Sequence, residues 1–187
     1  MNLQALLDGV LAAVALTVAI HPARHWPALR LGCLALAAAA TLGTLRFSGW
    51  LPLPPMHQFM SMLGAGVGLP LIGISLASPT SAVSRQTRYA WIFAVSSSVI
   101  CILAVMVWQF KLWPSVCAVL ATLAVLIYSI QRRDWLAIAA GACLLVALVM
   151  FASKLETSAL VPGDFLHIGL ALGLVLTGRW SHQHETK

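Results

Sequence analysis

The sequence predicts an all-α, polytopic membrane protein, a single domain of seven transmembrane helices with its N-terminus outside and its C-terminus in the cytoplasm. Composition is the first ground: 60% of the 187 residues are hydrophobic and 9% are charged, against roughly 25% charged in a soluble domain. The second is a series of apolar runs at residues 3–20, 27–49, 56–77, 89–109, 112–130, 135–152 and 164–179, each close to the roughly 20 residues a helix needs to cross the hydrocarbon layer. Unbroken runs without dyad alternation fit helices rather than barrel strands. The third is the placement of basic residues. Arg24, Arg30, Arg85, Arg88, Arg132, Arg133, Arg179 and Lys187 fall on one side of the threading and Arg46, Lys111 and Lys154 on the other, which puts the first side in the cytoplasm.

The first span opens without Lys or Arg over Met1 to Asp8, so it is expected to be retained as a helix and not cleaved as a secretory signal. His21-Pro22 separates it from the second span, which carries Arg46 near its end. Pro52, Pro54 and Pro55 precede the third, where Gly64 and Gly68 make a G-x-x-x-G face for close helix approach, either within the chain or toward a homodimer or membrane-protein partner. Pro70 predicts a kink in that helix. Ser78-Pro79-Thr80 ends it, and Ser96, Ser97 and Ser98 in the fourth span are expected to hydrogen-bond between helices. Phe110 to Trp113 is the tightest connection; were it not a turn, spans four and five would fuse and the count would be six. The sixth span opens at Trp135, and Pro162-Gly163 introduces the seventh.

Tryptophans repeat the pattern. Trp26, Trp91, Trp135 and Trp180 map to the inner boundary and Trp50, Trp108 and Trp113 to the outer one, as an aromatic belt requires. Cys33, Cys101, Cys117 and Cys143 each stand alone in an apolar run and read as free, buried thiols. The net charge of +6 resides in short loops, so it reads as a topology signal and not as a nucleic-acid surface. The short loops suit a bacterial cytoplasmic (inner) membrane, whose lipids are then the immediate partners.

Charged and imidazole groups inside spans are costly, about 2.5 to 3.5 kcal/mol for an Asp or Arg at mid-helix on insertion scales, and usually meet a partner or a water-filled space. Asp8 lies early in span one, Arg46 late in span two, His57 at the start of span three, and Asp164 and His167 at the start of span seven. All five should lie within roughly two turns of the outer surface, and Asp164 and His167, three apart, share a helical face. They are the candidate lining of an outward-facing pocket. Plainer roles compete: Arg46 either snorkels or pairs with Asp8 or Asp164, Asp164 caps its helix, and His57 decorates the interface. His57 and His167 would be the pair to hold a haem. The methionines Met56, Met60 and Met62 beside His57 read as Cu(I) ligands or as core, and His182 and His184 as residues of a polar cytoplasmic tail, a weak metal signal. No Walker loop, dinucleotide glycine fingerprint, H-E-x-x-H or nucleophile elbow is present.

Three segments, LLDGVLAAVAL, LGTLRFSG and PGDFLHIGLALGLVLTGRW, together resemble uncharacterised seven-span proteins near the alkaline ceramidases and adiponectin-receptor relatives. The resemblance implies a seven-helix fold and, by analogy with the superfamily's hydrolases, three histidines holding a zinc ion whose water attacks an amide, aided by an Asp and a Ser. Asp164 and His167 would match the acid and one histidine of the last helix, so the resemblance implies His57, His167 and Asp164 as the zinc ligands, a carboxylate standing in for the third histidine. Arg46 stands where such proteins often carry a histidine, and Ala171 where a second last-helix histidine would be. Three functional readings follow: binding or hydrolysis of a lipid or other amphiphile in the outward pocket; a non-enzymatic membrane subunit, assembly factor or small permease in which the polar cluster is structural; or a haem or metal carrier.

Overall fold

The structure is a computed structural model that describes residues 2–51, 53–154, 156–157 and 160–185. Pro52 and Lys187, which entered the reading of the second loop and of the charge asymmetry, lie outside the described residues. Seven long helices account for most of the chain: α1 (Leu3–Ile20), α2 (Pro27–Phe47), α3 (Pro54–Ala77), α4 (Thr87–Val107), α5 (Trp113–Arg132), α6 (Trp135–Ala152) and α7 (Pro162–Glu185). No strand occurs among the described residues. Helices α1 to α6 are long and apolar enough to cross a membrane. The length of α7 is also sufficient at 24 residues, but Asp164, His167 and Arg179 dilute its apolar character.

Local chemistry sets the ends. Pro27, Pro54 and Pro162 occupy the first helical position of α2, α3 and α7, where a missing N–H costs nothing and the fixed φ is already helical, so α3 and α7 start two residues earlier than the apolar runs suggest. The tight connection after α4 is a genuine turn: Gln109 takes a left-handed φ of 57°, and α5 restarts at Trp113-Pro114. Arg132 donates from its guanidinium to the carbonyls of Leu76 and Ala77, the former contact very short and the latter 2.8 Å, and so closes the orphan C-terminus of α3. Asp134 caps α6 by accepting from the Ala137 N–H at 3.3 Å.

Helices α1, α2, α3, α5, α6 and α7 pack in a ring in which α7 returns against α1, while α4 leans on α2 and α3 from outside and exposes most of its apolar side chains. Within a bilayer, apolar burial gives little drive for helix association, so close van der Waals contact must supply it, and that favours small residues at the crossings. Gly32 of α2 faces Gly68 and Ile72 of α3, and Gly73 of α3 faces Ala121 of α5. The G-x-x-x-G face is used inside the chain: Gly64 packs on Leu36 and Ala39, and Gly68 on Gly32, Ala35 and Leu36. Around Pro70 the helix does not simply kink. A π turn over Gly64–Gly68 precedes it, with the Leu69 N–H bonded to the Gly64 carbonyl, and widens the helix ahead of the proline.

Two expectations are corrected at the end of the bundle that carries Arg24, Arg85, Arg132 and Arg179. Trp26 and Trp180 are not belt residues but fully buried core, with ring centroids 4.9 Å apart. Arg85 lies over Trp26 at 3.6 Å, and His184 stacks on Trp180 at 4.6 Å. The Trp180 indole donates to Asp134 Oδ2 at 2.7 Å, which ties α7 to the start of α6. The segment with His182 and His184 is therefore not a polar tail: α7 continues through it, and His184 sits against Asp134 at 3.6 Å. Trp50, Trp91, Trp108 and Trp135 do remain exposed. Ser96 and Ser98 donate to carbonyls of their own helix, Ile92 at 2.8 Å and Ala94 at 2.7 Å, instead of bridging helices. The four cysteines are free; Cys33 and Cys101 are buried, Cys117 and Cys143 half-buried.

Candidate functional site

The opposite end of the ring holds the five residues singled out in the sequence. Asp8 is placed by α1 on the face that meets α2 and is only 1% exposed. Gly43 makes this possible, because a Cβ there would fall 2.6 Å from the Asp8 Cγ and 2.8 Å from its Oδ1. From α7, His167 brings Nε2 to 3.3 Å from Asp8 Oδ1, in contact but out of line for a hydrogen bond. His57, on α3, sets Nδ1 3.3 Å from the Ala39 carbonyl oxygen. A carbonyl only accepts, so this contact assigns the proton to Nδ1 and leaves Nε2 as an acceptor in the neutral ring. The Phe47 ring meets the imidazole edge-on at 5.7 Å and fixes its plane.

Asp8, His57 and His167 line one cavity of about 90 Å³, together with Ser61 and an apolar wall that includes Leu36, Leu148 and Leu170. The space is enough for a few waters or for the polar end of a larger molecule. The π turn of α3 borders it through Gly64 and Ala65. Arg46 and Asp164 do not line the cavity. Of the roles open to Arg46, a direct ion pair with Asp8 or Asp164 is not formed among the described residues; its guanidinium lies 4.9 Å from the centre of the Phe47 ring. Asp164 is the third residue of α7, not its N-cap. Its Oδ2 accepts from the Val161 N–H at 3.0 Å, the return half of a capping box.

The metal set of His57, His167 and Asp164 does not assemble. Asp164 is committed to its helix end, Asp8 is the acid beside His167, and no three His, Cys, Asp or Glu among the described residues are grouped to hold an ion. The donor set therefore fits neither the expected zinc nor the expected pair of axial haem ligands, since a porphyrin is far larger than the space between His57 and His167. What the site does hold is unmet hydrogen-bonding capacity. Asp8 Oδ1 and Oδ2, Asp164 Oδ1 and His167 Nδ1 are all buried without a hydrogen-bond partner. Native interiors leave few such atoms, each at a cost of roughly 1–3 kcal/mol, so four at one end of a bundle mark a place built to receive polar groups.

Gly43 and the Ala39-Ala40 pair were not singled out by sequence reasoning, although they are what admit Asp8 and the cavity. The available signal was a glycine three residues before Arg46 and a run of alanines over 37–40 in the same helix. Comparison of the chain with protein-family profiles, curated proteins and solved structures returns no match, so the site is read from its own chemistry.

Proposed function

We propose that this integral membrane protein spans the bilayer seven times, N-terminus outside and C-terminus in the cytoplasm of a bacterial inner membrane, and that its outer-half pocket takes the polar head of a lipid or other amphiphile. The observation that carries the reading is the conjunction of three unpartnered buried polar atoms, on Asp8 and His167, with a small cavity walled by Leu and Ala. A ligand that is polar at one end and apolar along its length matches both parts. Topology rests on the Lys and Arg asymmetry, and the layout that resembles the ceramidase and adiponectin-receptor relatives points to the same ligand class. Chemically, Asp8 and His167 offer unpartnered polar atoms to the bound head, with His57 Nε2 as a further acceptor.

The test is lipid analysis by mass spectrometry of protein purified in mild detergent. Wild type is expected to carry an amphiphile class enriched over the bulk lipid, and Ala65→Leu, which fills the cavity, to lose it while remaining folded in detergent. Identical co-purifying lipid from both proteins would overturn the reading. A second, structural reading has one observation in its favour, the wedging of Asp8 between Gly43 and His167, which ties three helices together. In that case His167→Ala and Asp8→Asn destabilise the bundle and Ala65→Leu changes no ligand.

A further inference from the structure

A second concave surface lies at the other end of the molecule. Where α1 and α7 run side by side they leave an open groove of about 680 Å³. Its upper walls are apolar, with Ala13 and Val14 on α1 and Val175 on α7. Its lower end is basic, with Arg24 in the turn after α1 and Arg179 on α7, flanked by His21 and His182. Along α1 the wall from Ala13 to Ile20, apolar except for Thr17, extends about 10 Å at 1.5 Å per residue. Gly178 forms the floor, where a Cβ would come 3.2 Å from Val18 and 3.4 Å from Pro22.

Among the described residues no Asp or Glu lines the groove, and neither Arg24 nor Arg179 makes an ion pair with a described acid. Asp134, the nearest acid in sequence to this end of α6, is occupied by Trp180 and His184. Loop arginines that served only as topology signals would have no reason to converge from the first and last helices onto the foot of one apolar channel. Two guanidiniums at the foot of an acyl-sized groove complement a phosphate ester that carries hydrocarbon chains.

We propose that this groove is a binding site for one anionic glycerophospholipid, whose phosphate is held between Arg24 and Arg179 and whose acyl chain runs up between α1 and α7. The site is separate from the Asp8 pocket and independent of the pocket's function. Each basic residue near net anionic lipid is worth about fivefold in binding, a gain that the choline ammonium of a zwitterionic headgroup offsets, so the pair should give up to roughly a 25-fold preference for anionic over zwitterionic lipid.

The experiment is native mass spectrometry of the full-length protein in detergent with added dioleoyl-phosphatidylglycerol or dioleoyl-phosphatidylcholine, which differ in headgroup but not in chains. Wild type should retain phosphatidylglycerol by about that margin. The double variant Arg24→Gln/Arg179→Gln, both at exposed positions, should bring the ratio close to one, while Arg88→Gln/Arg133→Gln, equal in charge removed but away from the groove, should leave it as in wild type. Ala13→Phe should lower retention of both lipids. Excess inorganic phosphate should leave the lipid bound; its displacement would mean the groove takes free phosphate. Equal retention of the two lipids by wild type, or an equal fall in the two double variants, overturns the proposal.

Discussion

The Asp8 carboxylate is held beneath α2 because residue 43 has no side chain, and this coupling has a sign that can be measured. Gly43→Ala should destabilise the protein by about 1–3 kcal/mol, the usual cost of overpacking, although alanine is intrinsically the better helix former by about 1 kcal/mol. In an Asp8→Ala background the obstruction is gone, so the same change at residue 43 should become neutral or stabilising. Thermal melts of the four proteins in detergent form a double-mutant cycle, and a destabilisation that persists at full size without Asp8 would show that the carboxylate is not what Gly43 accommodates. His167 and Asp8 were legible in the sequence as costly groups at the same depth on helices one and seven. Their partnership was not, because depth along a helix says nothing about azimuth: Asp164, three residues from His167, looked the better acid, yet its capping bond to Val161 takes one of its oxygens.

At the level of helices, the crossings rest on backbone approaching backbone. A Cβ on Gly32 would stand 2.6 Å from the Gly68 carbonyl oxygen and 2.8 Å from Ile72, and a carbonyl inside a helix cannot move aside. Gly32→Ala should therefore lower stability by about 1–3 kcal/mol, whereas Gly163→Ala, with nothing within 4 Å of the new methyl, should leave the melting temperature within experimental scatter. If both substitutions proved harmless, the α2–α3 contact would be looser than described. Span positions could be read from the apolar runs because a helix must stay apolar for its full crossing, and α6 falls on the predicted residues 135–152. The π turns over Gly64–Gly68 and Leu103–Val107 could not, since one extra residue in a turn leaves hydropathy unchanged. Trp26 and Trp180 were misplaced for a related reason: an interfacial position on the threading is compatible with a ring that faces lipid headgroups or one that faces a neighbouring helix.

For the whole molecule, the contacts sort its ends without reference to a membrane. Trp26, Arg85, Asp134 and Trp180 meet at one end, and Asp8, Ala39, His57 and His167 at the other. If α7 is a seventh span, a Cys-less protein carrying Lys111→Cys should react with a membrane-impermeant maleimide on intact cells, while Gln86→Cys and His182→Cys should react only after permeabilisation. Labelling of His182→Cys on intact cells would mean that α7 does not cross. The two enclosed tryptophans carry a last consequence. Of the seven indoles in the chain, Trp26 and Trp180 are completely shielded, and both sit at the junction of the first two helices with the last. Fluorescence that survives a water-soluble quencher such as acrylamide should therefore come chiefly from that junction, giving the protein a built-in optical gauge of whether its two ends of chain are docked.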